Sequence, residues 1–193
     1  MSSREKILAA VLANQPARSL LTIIDNFPQE PPDNIETFKI ISGTIGGTCY
    51  DVSDMEELQT HFHNTFSLHK RIISNVPGVH ASDENWQNDD PHQLEDVDVA
   101  VISGHFGVAE NSAVWITEEL VGHRVLPFIC QHLVVIIKKT DIVSTMHQAY
   151  HRIADAEYPF GVFIAGPSKT ADIEQSLVLG AHGPRSLTVY LVD

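Results

Sequence analysis

Three stretches constrain this chain most: "VDVAVIS" at 97–103, "HLVVIIK" at 132–138 and "LTVYLV" at 187–192. Each is a near-continuous run of β-branched and apolar residues. A strand with one wet face alternates polar and apolar positions; a strand covered on both faces has no reason to. These runs therefore predict strands inside a parallel sheet covered on both sides. "AVWIT" at 113–117 and "FGVFIA" at 160–165 repeat the pattern, and "TCYDV" at 48–52 and "RIIS" at 71–74 are shorter examples. Helical patterns between the strands complete the expectation: an α/β fold, one domain with a largely parallel sheet flanked by helices.

The helices have readable starts. Ser2 and Glu5 stand at capping-box spacing before a helix over 2–13, with Ile7, Leu8, Val11 and Leu12 on one face. A second helix is expected over 34–44, ending at the glycines of "SGTIGG". Ser53 and Glu56 repeat the capping spacing ahead of a helix that turns Met55, Leu58 and Phe62 inward, and another helix is expected over 141–155. The proline-rich "DNFPQEPPD" at 25–33 reads as a loop. The acid-rich stretch 81–98, with Trp86 as its one large apolar residue, reads as an excursion from the domain. Residues 1–193 then form a single domain, with 1–33 as an N-terminal helix and loop and 81–96 as the excursion.

Composition narrows the function. A chain of 193 residues with 43% hydrophobic and 19% charged residues can bury a sizeable core. The formal net charge of −13 argues against nucleic acid and anionic membranes, which are held by excess Lys and Arg. No apolar run approaches the roughly 20 residues of a membrane span, and the charged N-terminus does not read as a secretory signal. Cys49 and Cys130 are the only cysteines and lie far apart. By themselves they cannot hold an iron–sulfur cluster or a four-thiolate zinc ion, so no cofactor is expected in this chain. A reduced, cytoplasmic setting is expected. His147 and His151 have the spacing of a metal pair on a helix, but no third ligand is evident, and the pair reads as a solvated face. His61 and His63 point to different sides of theirs. "SGTIGGT" at 42–48 precedes a strand instead of opening a helix, which is the wrong order for a nucleotide loop.

The densest chemistry lies in "GPSKTADIEQSLVLGAHGPR" at 166–185. A turn leaving the strand 160–165 is expected to enter a short helix capped by Ser168 or Thr170, with Asp172 and Glu174 in its first turn and Gly180 at its end. Open α/β sheets bind ligands beyond the carboxyl ends of their strands. Free N–H groups, Lys169 and a returning Arg185 would hold a small anion there, with Gly166, His182 and Gly183 shaping the turn. The same residue types also build an ordinary capped turn with Asp172 paired to Lys169 or Arg185. "GHFGVAENS" at 104–112 follows another buried strand, so Glu110 is expected at the same edge. A carboxylate there can act as general base or nucleophile. Asp172 nearby would raise one pKa of the pair, and Glu174 is the third candidate carboxylate. In the opposing arrangement Glu110 pairs with Arg124 or Arg185 and is structural.

"GPSKTADIE" followed by "LGAHGPRSLTVYLVD" resembles the C-terminal signature of the LUD-domain family, the lactate-utilisation protein C type. The likeness continues upstream through "VDVAVISGHFGVAENSAVWIT", "RVLPFICQHLVVII" and "DIVSTMHQAYHRI". It covers roughly residues 95–193, and the first half in general layout. Where that family has an Ala-Glu-Thr-Gly-Thr run, this chain has "AENSA" at 109–113, so a serine stands in the place of the glycine. "AEN" is also similar to the Glu-Asn-Gly loop that carries the nucleophilic glutamate of coenzyme A transferases. The resemblance implies a fold like that of sugar-phosphate isomerases and coenzyme A transferases. It also implies a part in oxidising L-lactate to pyruvate alongside separate iron–sulfur subunits. Two other expectations stay open: a stand-alone enzyme acting on a phosphorylated or coenzyme A-linked substrate, and a non-catalytic assembly subunit. A small anionic substrate is expected in the first two, and a homo-oligomer is left open.

Overall fold

A computed structural model of the chain describes residues 2–17, 19, 33–81, 86–88, 90–171 and 177–193. The first half runs through α1 (Ser3–Ala13), α2 (Asn34–Thr44), β1 (Thr48–Val52), α3 (Met55–Phe66), β2 (Ile72–Ser74), β3 (Val99–Ser103), β4 (Phe106–Val108) and β5 (Ala113–Thr117). The second half adds α4 (Glu118–Val121), α5 (Leu126–Ile129), β6 (His132–Lys138), β7 (Ile142–Val143), α6 (Met146–Ile153), β8 (Gly161–Ile164), β9 (Lys169–Ala171), β10 (Leu177–Leu179) and β11 (Ser186–Val192).

The β-branched runs do form the central sheet, in the order β1-β11-β6-β3-β2, and every pairing in it is parallel. β6 lies between β3 and β11, and its residues from Leu133 to Ile137 are buried. Successive side chains face opposite layers. Val99, Val101, Val134, Ile136 and Tyr190 meet Leu58, Phe62 and Phe66 of α3. On the other side Ala100, Ile102, Leu133, Val135 and Val189 meet Phe38 of α2 together with Val114 and Ile116. Burying each such side chain stabilises the fold by about 1.5–3 kcal/mol; truncating Leu133 to alanine in this layer costs about 2–5 kcal/mol.

That second layer departs from the expected helices. "AVWIT" and "FGVFIA" are strands, but they lie in a separate four-stranded sheet of order β7-β4-β5-β8, with β5 antiparallel to both neighbours. A short strand, β4, within "GHFGVAENS" makes this sheet possible. The two sheets close directly on one another at Gly104, where an added Cβ would lie 2.4 Å from Val114 Cγ1 and 2.8 Å from Ile137 Cγ2.

Other local readings change as well. The capping box of α1 forms: the Ser2 hydroxyl accepts the Glu5 N–H, and the Ser2 N–H donates to the Glu5 carboxylate. Yet Ile7, Leu8, Val11 and Leu12 are all exposed, so this face reaches no core. Asp54, not Ser53, caps α3 by accepting the N–H groups of Glu56 and Glu57, while Ser53 bonds the Glu57 carboxylate. The helix expected over 141–155 begins only at Met146, after β7 has paired with β4. Trp86 of the acidic excursion is 1% exposed and packs into the core, so the excursion is anchored. The proline-rich loop, except Asp33, falls outside the described residues. No helix among the described residues is long and apolar enough to cross a membrane.

Candidate ligand-binding turn

β8 delivers the chain into the turn at 165–168. Gly166 takes φ +70°, and a Cβ there would sit 2.9 Å from the Ile45 carbonyl oxygen, so only glycine brings the turn this close to the end of α2. The expected helix does not follow. Instead Lys169–Ala171 pairs antiparallel with Leu177–Leu179, with Thr170 opposite Val178. A β-branched pair across a narrow hairpin replaces the helical caps. Asp172 and Glu174 lie between these strands, outside the described residues.

The turn is tied to the segment 180–185 through the backbone. The Ser168 N–H donates to the Pro184 carbonyl at 2.9 Å, and the Gly180 N–H donates to the Ser168 carbonyl at 3.0 Å. Beside it lies a cavity of about 270 Å³, walled by Phe128, Leu133, Phe163 and Pro184, with Ser168 and His182 as its polar side chains. Gly166 and Gly183 also line it. Four of the sequence candidates therefore come together: Gly166, Ser168, His182 and Gly183. Lys169 instead donates to the Ile45 carbonyl. Arg185 is exposed, with its stem where a side chain on Gly180 would have to stand: a Cβ there would lie 2.3 Å from Arg185 Cγ. Thr170 stands on β9, away from the cavity lining.

The turn leaves the carboxyl end of β8, yet it meets the central sheet at its amino end. The Arg185 N–H donates to the Gln131 carbonyl, and Ser186 pairs with His132 at the start of both strands. This corrects the expectation of one shared carboxyl edge: β8 belongs to the second sheet, where strands run in both directions. Glu110 sits at the tip of the β4–β5 hairpin, exposed, with its N–H donating to the Ser144 carbonyl at 3.1 Å. The register Val114↔Ile164 brings this tip to the same end of the second sheet as the 165–168 turn. Glu110 does not line the cavity among the described residues. Arg124 grips Glu118 through two hydrogen bonds, not Glu110. Ser112, in the same hairpin, holds φ +54°, a left-handed conformation that favours glycine.

The carboxyl edge of the central sheet holds a second constellation that the sequence reading did not assemble. His61 Nδ1 lies 2.8 Å from the Tyr190 hydroxyl, and Tyr50 stacks beside both rings. Burial pushes the Tyr190 phenol above its ordinary pKa, so it stays protonated. Tyr50 and His61 border a cleft of about 580 Å³ that also receives Asp51, Asp54 and Glu57. Lys139 bridges Asp51 and Asp193 at its rim. No local signal could have found it, because its members come from β1, α3, β11 and the 3₁₀ turn at 139–141. His63 points away and is exposed, as are His147 and His151 on α6. Burial raises both thiols, Cys49 and Cys130, to about 12.

Comparison with known proteins matches this architecture. The LUD domain model covers residues 36–192. Lactate utilization protein C of Anoxybacillus flavithermus is 27% identical over 186 residues, covering 96% of this chain and 80% of that protein. Its counterpart from Shouchella clausii is 32% identical over 117 residues, 56% of this chain and about half (51%) of that protein. The crystal structure of a DUF162 family protein from Deinococcus radiodurans superposes with a TM-score of 0.63 at 18% identity, over 83% of this chain and 94% of that one. With its central sheet and its hairpin sheet both inside the matched span, the chain belongs to the LUD-domain family.

Proposed function

We propose that this protein takes part in lactate utilisation, as a cytoplasmic component that assists the oxidation of L-lactate to pyruvate beside separate subunits carrying iron–sulfur clusters. The observation that supports the reading is the uninterrupted family match over 36–192, joined to a relative of that name aligned along 96% of the chain. Oxidising a hydroxy acid to a keto acid releases two electrons and two protons, so an acceptor is needed. All-cysteine clusters take four thiolates, and this chain has two cysteines, Cys49 on β1 and Cys130 in the turn between α5 and β6, both held protonated. In this reading the acceptor belongs to the partners. The cavity beside Ser168 and His182 is the candidate place for a small carboxylate, the hydroxyl and imidazole orienting it. Glu110, at the same end of the second sheet, is the candidate proton acceptor, and Asp172 and Glu174 are the other candidate carboxylates by sequence.

The reading is tested by isolating the tagged full chain from cells grown on L-lactate. Partners containing iron and acid-labile sulfide should co-purify, and the isolated chain should oxidise no lactate alone. Recovery of the chain by itself, with turnover of a phosphorylated or coenzyme A-linked substrate, would favour a stand-alone enzyme instead.

A further inference from the structure

The outer face of the second sheet carries a cleft of about 530 Å³ that none of the roles above uses. Its floor is aromatic. Trp115 and Tyr158 meet edge to face at 5.2 Å between ring centroids, and Phe106 lies in the same floor. Gly161 makes this floor possible: a Cβ there would lie 2.4 Å from Trp115 and 2.8 Å from Tyr158. The volume is that of a small-molecule site.

The charges around the floor are unequal. Arg152 lies 4.9 Å over the Phe106 ring and is held at 2.5 Å by Asp141, so its charge is already answered. Glu118 is answered by Arg124. Two carboxylates remain at the rim. Among the described residues Glu119 has only His105 as an ion-pair partner, at 3.4 Å, and the His105 ring is already engaged with the Thr117 hydroxyl at 2.6 Å. Glu157 has no cation partner among the described residues. Aromatic faces attract cations through their quadrupole, and carboxylates at the rim add to that attraction.

We propose that this cleft binds a small organic cation, an ammonium attached to an apolar or aromatic body. The body lies on Trp115 and Tyr158, and the charge is drawn to Glu119 and Glu157. The inference is independent of the lactate reading, since it shares no residue with the turn at 165–187.

Calorimetric titration of the full chain with benzyltrimethylammonium tests it, with phenylacetate as the anion of similar shape. The ammonium should bind and phenylacetate should not. Joint substitution Glu119→Gln and Glu157→Gln should weaken the ammonium by about five-fold, as two partly exposed charge contacts allow. Tyr158→Ala, at a 41% exposed position, should weaken it with folding retained. Glu56→Gln, in the cleft beside β1 and α3, should change nothing. Equal affinity for phenylacetate, or full affinity in the double glutamine variant, overturns the proposal. So does an absence of binding at about 10 mM, the edge of measurable association. Binding of a lysine-rich peptide alone, without the small ammonium, also overturns it and marks the cleft as a protein-docking surface.

Discussion

Replacing Ser112 by glycine should stabilise this protein. Ser112 is 1% exposed, holds φ +54°, and its Oγ has no hydrogen-bond partner among the described residues. The turn imposes this state: the Asn111 side chain accepts the Ala113 N–H at 3.0 Å, and β4 and β5 pair on either side. A residue with a Cβ in the left-handed region costs about 1–2 kcal/mol. A buried hydroxyl without a partner costs about 1–3 kcal/mol. Glycine removes both and gives back about 0.5–1 kcal/mol through the greater freedom of its unfolded chain. The lower ends of the two gains, less the upper end of that loss, leave about 1 kcal/mol. In a chain of this size that raises Tm by about 2–4 °C. Ser112→Ala removes the hydroxyl and keeps the Cβ, so its Tm should fall between wild type and Ser112→Gly. Scanning calorimetry of the three proteins decides it. A glycine variant that melts below wild type, or an alanine variant above the glycine variant, refutes the reasoning.

Three further outcomes follow from particular contacts. Gly161→Ala places a methyl within 2.4 Å of Trp115, and overpacking of this kind should cost about 1–3 kcal/mol in a melting experiment. His132 has its pKa lowered from 6.5 by burial, and then by His69 and Arg185, against a weaker pull from Asp98. Below about pH 6.5 the unfolded chain takes up a proton that the folded chain refuses, so this stability is present above that pH and lost as pH falls through the folded value. His132→Gln should therefore flatten the decline in Tm between about pH 7 and about pH 5, and an unchanged decline would contradict it. Cys49 and Cys130, with thiols near 12, should resist alkylation at mildly alkaline pH in the folded protein and react in denaturant; rapid labelling of the native protein would contradict this.

The expected strands were legible to within two residues, the widest miss being "VDVAVIS", which starts two positions ahead of β3 at Val99. "TCYDV", "AVWIT" and "HLVVIIK" are β1, β5 and β6 to the residue. In β5 and β6 continuous apolarity reports burial, and burial is the reason they form. It does not report which sheet a strand joins. Ala113–Thr117 reads like His132–Lys138, yet pairs antiparallel with Gly161–Ile164, because long-range pairing decides and leaves no local mark. The turn after β8 failed for a different reason. Gly, Pro, Ser and Thr serve both helix caps and hairpin ends, and pairing of Thr170 with Val178 decided for the hairpin. Gly166, Ser168, His182 and Gly183 line one cavity, and their closeness was legible because they lie in one short stretch. The His61–Tyr190 contact was not, since 129 positions separate its members.

The central claim is participation in lactate oxidation, and lactate-dependent dye reduction in extracts of cells lacking this protein tests it most directly. Adding the purified full chain should restore reduction with L-lactate, and the addition should supply no iron of its own. Equal lactate oxidation with and without the chain would contradict the account.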